Sequence, residues 1–160
     1  MKIDVGLIGK GKWGSKIKLN LIKFTNLNFV CGKNDNYLAE IKKYQMKWIF
    51  VATPIETHYD IVKNCLSNKI NVFCEKPLCT SSIKIKNLVR ISKKNKVKLY
   101  ISDLYNFYSK EVDNSRMINT VYRSKYVKGV DTEFFYRFLY HDISIFYNFL
   151  KKKKIKKNIF

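Results

Sequence analysis

Lys76 is the residue whose neighbours best suit it to chemistry. It stands in Glu75-Lys76-Pro77, directly after the apolar run Ile70 to Cys74. A short apolar run rich in β-branched and aromatic residues reads as a buried strand. Open α/β sheets bind their ligands beyond the carboxyl ends of such strands. Pro77 fixes the backbone beside the lysine. A lysine partly withdrawn from water at that place gives up its proton more readily than one in solvent, and can hold or move a proton of a bound ligand. The plainer alternative is a solvated lysine in a turn. A second set of residues points to a nucleotide. Gly9-x-Gly11-x-x-Gly14 follows the apolar stretch ending at Ile8 and opens a helical pattern, with Lys12 and Trp13 inside the motif. In that context Gly9 allows a tight turn, Gly11 the close approach of a pyrophosphate, and Gly14 the packing of helix on strand. The helix N-terminus adds free N–H groups and a partial positive charge for the phosphates.

These residues need a frame, and the hydrophobic pattern supplies one. Strands are predicted at Lys2 to Ile8, Asn28 to Cys31, Trp48 to Ala52, Ile70 to Cys74 and Val97 to Ser102. Helices are predicted between them. The first covers Lys12 to Phe24, with Ile17, Leu21 and Phe24 inward, and the second Tyr37 to Tyr44. The third is capped by Thr57 and runs to Asn68, with Ile61, Val62 and Cys65 inward. The fourth opens at Thr80, Ser81 or Ser82 and runs to Lys94, with Ile85, Leu88, Val89 and Ser92 inward. Strict strand–helix alternation predicts an α/β fold with a doubly wound, right-handed parallel sheet of the Rossmann type over residues 1–102. Residues 103–150 read as a short α or α+β extension packed on it. Within them, helical patterns cover Asn106 to Thr120 and Asp142 to Leu150, and a strand surrounds Val127 to Val130. Residues 151–160 form a basic tail.

Composition narrows the classes. A chain of 160 residues with 46% hydrophobic and 15% aromatic content is globular rather than disordered. No apolar run reaches the roughly 20 residues that span a bilayer, and the N-terminus lacks a signal-peptide pattern. Cys31, Cys65, Cys74 and Cys79 form no Cys-x-x-Cys pair, so no metal site is predicted and the thiols read as reduced and buried. A cytoplasmic protein without membrane contact follows. The formal charge of +20 invites nucleic acid. The charge is nearly all lysine, however, with arginine only at positions 90, 116, 123 and 137, and arginine makes the bidentate contacts. Nucleic-acid binding therefore ranks below nucleotide binding.

Cofactor type turns on the end of the second strand. A carboxylate there accepts hydrogen bonds from the adenosine ribose and selects NAD. Here the strand ends in Cys31-Gly32-Lys33, with Asp35 a few residues late. Lys33 can pair with a 2′-phosphate, which favours NADP over NAD.

Residues Lys2 to Ser102 resemble the N-terminal domain of the Gfo/Idh/MocA oxidoreductases. The resemblance rests on the strand–glycine turn, on Ala52-Thr53-Pro54 followed by His58, and on Glu75-Lys76-Pro77-Leu78. It implies that Thr53 and Pro54 lie along the cofactor and that Lys76 reaches the nicotinamide and the substrate hydroxyl. It also adds His58 and Glu75 to the cofactor site, although a helix-start histidine bonding backbone and a turn-anchoring glutamate are the simpler roles. Tyr140-His141-Asp142-Ile143 resembles the family's histidine–aspartate pair and implies His141 as a general acid/base. Arg137 stands where the family has an aspartate, and the chain is too short for the large substrate-covering sheet. Two functions follow from this reading. One is hydride transfer between NAD(P) and a sugar, cyclitol or polyol hydroxyl, completed by a homo-oligomer or another subunit. The other is a truncated, catalytically inactive nucleotide-binding module.

Overall fold

The computed structural model describes residues 2–103. They comprise five strands and four helices in strict alternation. The elements are β1 (Asp4–Ile8), α1 (Lys12–Phe24), β2 (Asn26–Cys31), α2 (Tyr37–Lys43), β3 (Trp48–Val51), α3 (Ile55–Ser67), β4 (Asn71–Cys74), α4 (Ser82–Lys94) and β5 (Leu99–Ile101). The patterns expected beyond Asp103, together with His141 and the basic tail, lie outside the described residues.

All neighbouring strands pair in parallel, in the order β2-β1-β3-β4-β5. The chain first steps outward from β1 to β2. It then returns past β1 and adds β3, β4 and β5 on the other side. The direction of winding therefore reverses between β1 and β3, and at such a switch point the loops leaving the two strands diverge and leave a crevice.

Side chains alternate across a strand, and both faces of this sheet are packed. Ile49 and Val51 of β3 join Val72 and Cys74 of β4 in one cluster, with Ile41 of α2, Val62, Cys65 and Leu66 of α3, and Leu88 of α4. Val5 and Leu7 of β1 form the other with Leu21 of α1, and Trp48 and Phe50 of β3 pack against it. With helices packed in both clusters, the sheet is doubly wound, as the alternation predicts.

Several local details differ from the expectations. Helix α3 begins at Ile55 with Pro54 as its N-cap, not at Thr57. Pro54 has an extended backbone and no side-chain hydroxyl, so Thr57, one turn in, places its hydroxyl 2.7 Å from the Pro54 carbonyl. Ser81 caps α4 by accepting from the Lys84 N–H. On that helix Leu88 and Ser92 are buried, but Val89 is 39% exposed. Leu88 and Ser92 are four apart and share a face, whereas Val89 turns about 100° away from Leu88. Phe24, expected inside, is 74% exposed at the last position of α1. Leu88→Ala should cost about 2–5 kcal/mol of stability and Val89→Ala within about 0.5 kcal/mol. Urea unfolding of the two variants checks the assignment of faces.

Candidate functional site

The site begins where β1 ends. Gly9 takes φ +128, in the region that side chains disfavour. A Cβ there would stand 2.3 Å from the Ala52 carbonyl oxygen. Its N–H donates to the Cys31 carbonyl at 2.7 Å, while the Ala52 N–H donates to Ile8 at 2.8 Å. The turn is thus sewn to both neighbouring strands. Gly14 closes it from above, since a Cβ there would meet the Gly9 carbonyl oxygen. Gly11 differs: nothing lies within 4 Å of its virtual Cβ. It caps α1 without a side chain, and no acidic residue occupies the first turn. The N–H groups of that turn have no partner within the helix, and they meet the open side at Gly11.

That open side is a cleft of about 900 Å³ between the loops after β1, β2 and β3. Gly9, Gly11, Lys12 and Trp13 line it from the first loop, Lys33 from the second, and Thr53 and Pro54 from the third. Seven of the expected cofactor residues are therefore brought together, with Gly14 holding them from behind. Trp13 is 62% exposed, and the Lys16 ammonium lies 4.8 Å from its ring centre. The volume and the bare amides suit the pyrophosphate and flanking groups of a dinucleotide, for which a Cβ at position 11 would be the first obstruction.

One charged pair on this wall was missed by sequence reasoning. Lys10 Nζ donates to Asp35 Oδ2 at 2.6 Å, and the Gly32 N–H donates to the same oxygen at 2.8 Å. The Lys10 hydrogen bond, then the Gly32 N–H, holds the Asp35 carboxyl below its ordinary range, and the same bond raises Lys10. The usable signal was the three-residue spacing from Gly32 to Asp35, which lets an aspartate fold back on the backbone.

His58, Glu75 and Lys76 are not among the residues lining this cleft. His58 is buried on the first turns of α3, and its ring spans two loops. Nδ1 lies 2.9 Å from the Pro77 carbonyl and Nε2 2.8 Å from the Thr53 carbonyl. This is the backbone-bonding role, and it ties the cleft wall at Thr53 to the turn that carries Lys76. Glu75 continues β4 by donating its N–H to Val51 at 2.8 Å. Lys76 is half-buried, and its bond to Pro77 is cis. The four cysteines are free thiols; Cys31, Cys65 and Cys74 are buried. Burial pushes Cys65 up to about 12 and raises Cys74 as well, so these serve packing. Among the described residues no group of acidic, histidine and cysteine side chains could hold a metal, and no helix is long and apolar enough to cross a membrane.

A parallel sheet with a Gly-x-Gly-x-x-Gly turn at its switch point is a Rossmann domain of the dinucleotide-binding class. The sequence model of the Gfo/Idh/MocA oxidoreductase family, with its NAD-binding Rossmann fold, matches residues 18–102. That is more than half of the chain, and the chain belongs to this family. The match starts inside α1, so the glycine turn stands on its own geometry. No curated protein matches the chain. Among solved structures, the oxidoreductase YvaA of Bacillus subtilis is similar at 19% identity and TM-score 0.71, over 92% of this chain and 52% of that one. Myo-inositol 2-dehydrogenase of Lactobacillus plantarum is similar at 20% identity and TM-score 0.60, over 71% and 42%. Biliverdin reductase of Synechocystis, in complex with biliverdin and NADP⁺, is similar at 15% identity and TM-score 0.58, over 66% and 39%. At these identities the likeness is one of fold, and the chain spans about half or less of each relative's length.

Two glycine variants test the geometry. Gly9→Ala should destabilise the domain by about 2 kcal/mol or more, through its backbone angle and the Ala52 carbonyl. Gly11→Ala should leave stability within about 1 kcal/mol, because its Cβ enters open space. Thermal unfolding monitored by circular dichroism distinguishes the two.

Proposed function

We propose that the cleft beside Gly9 and Gly11 binds a nicotinamide dinucleotide and that the chain serves hydride transfer to or from a sugar, cyclitol or polyol hydroxyl. The observation that carries the reading is the switch-point cleft, with a bare helix N-terminus on one side and the Thr53-Pro54 turn on the other. The first-turn amides of α1 hold the pyrophosphate, and Lys12 adds positive charge beside it. The cofactor, when bound, supplies the hydride acceptor or donor. Lys76 follows β4 in the Glu-Lys-Pro turn and is the proposed acid/base toward the substrate hydroxyl, held in place through Pro77 and His58. His141 is the proposed second acid/base on the strength of its motif. A second copy of the chain or a completing subunit is the proposed source of the remaining substrate wall. Lys33 on the cleft wall supports NADP, and Asp35 on the same wall supports NAD.

A second reading has its own support. Lys76 does not line the described cleft, as a nucleotide-binding module without turnover would allow.

NADH and NADPH titrations followed by cofactor fluorescence, with steady-state assays on a panel of polyols and sugars, test both readings. Lys76→Ala should keep cofactor affinity within about threefold while lowering turnover about 10²- to 10⁴-fold, the range lost with a general acid or base. Cofactor binding without reduction of NAD(P)⁺ by any polyol would leave the binding module standing and remove the catalytic assignment. Absence of binding would remove both.

A further inference from the structure

We propose that the Lys10–Asp35 ion pair is the cofactor-selecting element of the cleft, with Asp35 reading a free ribose 2′-hydroxyl and Lys10 a 2′-phosphate, so that the site accepts both NAD and NADP. This inference rests on the nucleotide-binding reading of the cleft.

The pair joins two exposed side chains, and the backbone fixes one of them. Asp35 lies four residues beyond the end of β2, yet its Oδ2 is held back at that end by the Gly32 N–H at 2.8 Å. A carboxylate at the end of the second strand is where a Rossmann site meets the ribose hydroxyls. Gly32 has a second part in the arrangement. A Cβ on it would stand 3.0 Å from Lys10 Cδ, so the bare α-carbon lets the lysine stem lie across the strand end and reach Asp35. Both donors bind Oδ2, which leaves Oδ1 as an acceptor for a ribose hydroxyl. Lys10 uses one of its three N–H donors on Asp35 and retains two. Lys10, Lys33 and Asp35 line one cleft, two cations against one anion.

The two cofactors make opposite demands on this set. A 2′-hydroxyl donates to a carboxylate, and the pair stays closed. A 2′-phosphate carries close to two negative charges at neutral pH. It is repelled by Asp35 and attracted by Lys10 and Lys33, and Lys10 turns from Asp35 to the phosphate. Lys10 sits inside the glycine turn, between Gly9 and Gly11.

The test is a pair of fluorescence titrations, NADH and NADPH at one fixed salt concentration, on the wild-type chain, Asp35→Asn and Lys10→Met. Asparagine keeps a carbonyl for the Gly32 N–H and removes the charge; methionine keeps the stem and removes the ammonium. Exposed charge contacts of this kind support changes of about fivefold. The ratio Kd(NADPH)/Kd(NADH) should fall about fivefold in Asp35→Asn and rise about fivefold in Lys10→Met, with the wild-type chain binding both. Binding of both cofactors with an unchanged ratio in the two variants, or a shift in the same direction in both, overturns the inference and leaves the nucleotide reading intact. Failure of the folded wild-type chain to bind either cofactor overturns the reading and the inference together. Circular dichroism confirms that each variant is folded.

Discussion

The cleft depends on a backbone contact closer than any side chain permits. Gly9 leaves β1 so near to Ala52 that a single added carbon would lie 2.3 Å from a carbonyl oxygen. Helix α1 then presses on Gly9 through Gly14. These two contacts bring the start of α1 against the end of β3 and aim its unsatisfied amides across the switch point. Were the turn wider, the helix would stand off the sheet and the amides would face solvent rather than a walled crevice. The reversal of winding between β1 and β3 opens the space, and the glycine turn decides what faces it.

His58 extends the same constraint to the other end of the site. Its ring lies between the Thr53 and Pro77 carbonyls, so the third loop and the turn after β4 share one buried anchor. The ring is 2% exposed, and both of its nitrogens stand within hydrogen-bond distance of a carbonyl. The helix-start histidine thus takes the backbone-bonding role that was its simpler reading, and acts through the loops it joins. It bonds Thr53 of the cleft lining and Pro77 beside Lys76, and is not itself among the residues that line the cleft.

Much of this was legible along the chain. Among the described residues the five strands and four helices stand where the hydrophobic periodicity placed them, with ends shifted by at most three residues. Gly9, Gly11 and Gly14 could be assigned separate roles because the motif sits between a strand and a helix, and the structure gives them separate surroundings. The misses have physical causes. Thr57 is a good capping residue, but Pro54 had already set an extended backbone at the helix start. Val89 and Phe24 are apolar but fall on the solvent sides of their helices, where an apolar side chain is tolerated. Lys33 and Asp35 were read as separate indications of cofactor type. The structure joins Lys10 and Asp35, which are 25 residues apart.

By itself the sequence determined the order and type of the elements, the nucleotide-binding turn and the family, because each is written in local spacing: period two in strands, period 3.6 in helices, and three glycines within six residues. The tertiary structure alone decided the strand order, the burial of His58 between two carbonyls and the union of Lys10 with Asp35. Those depend on which distant loops the sheet brings together. Hydrogen bonds and ion pairs act over about 3 Å of space, whatever number of residues separates the partners along the chain.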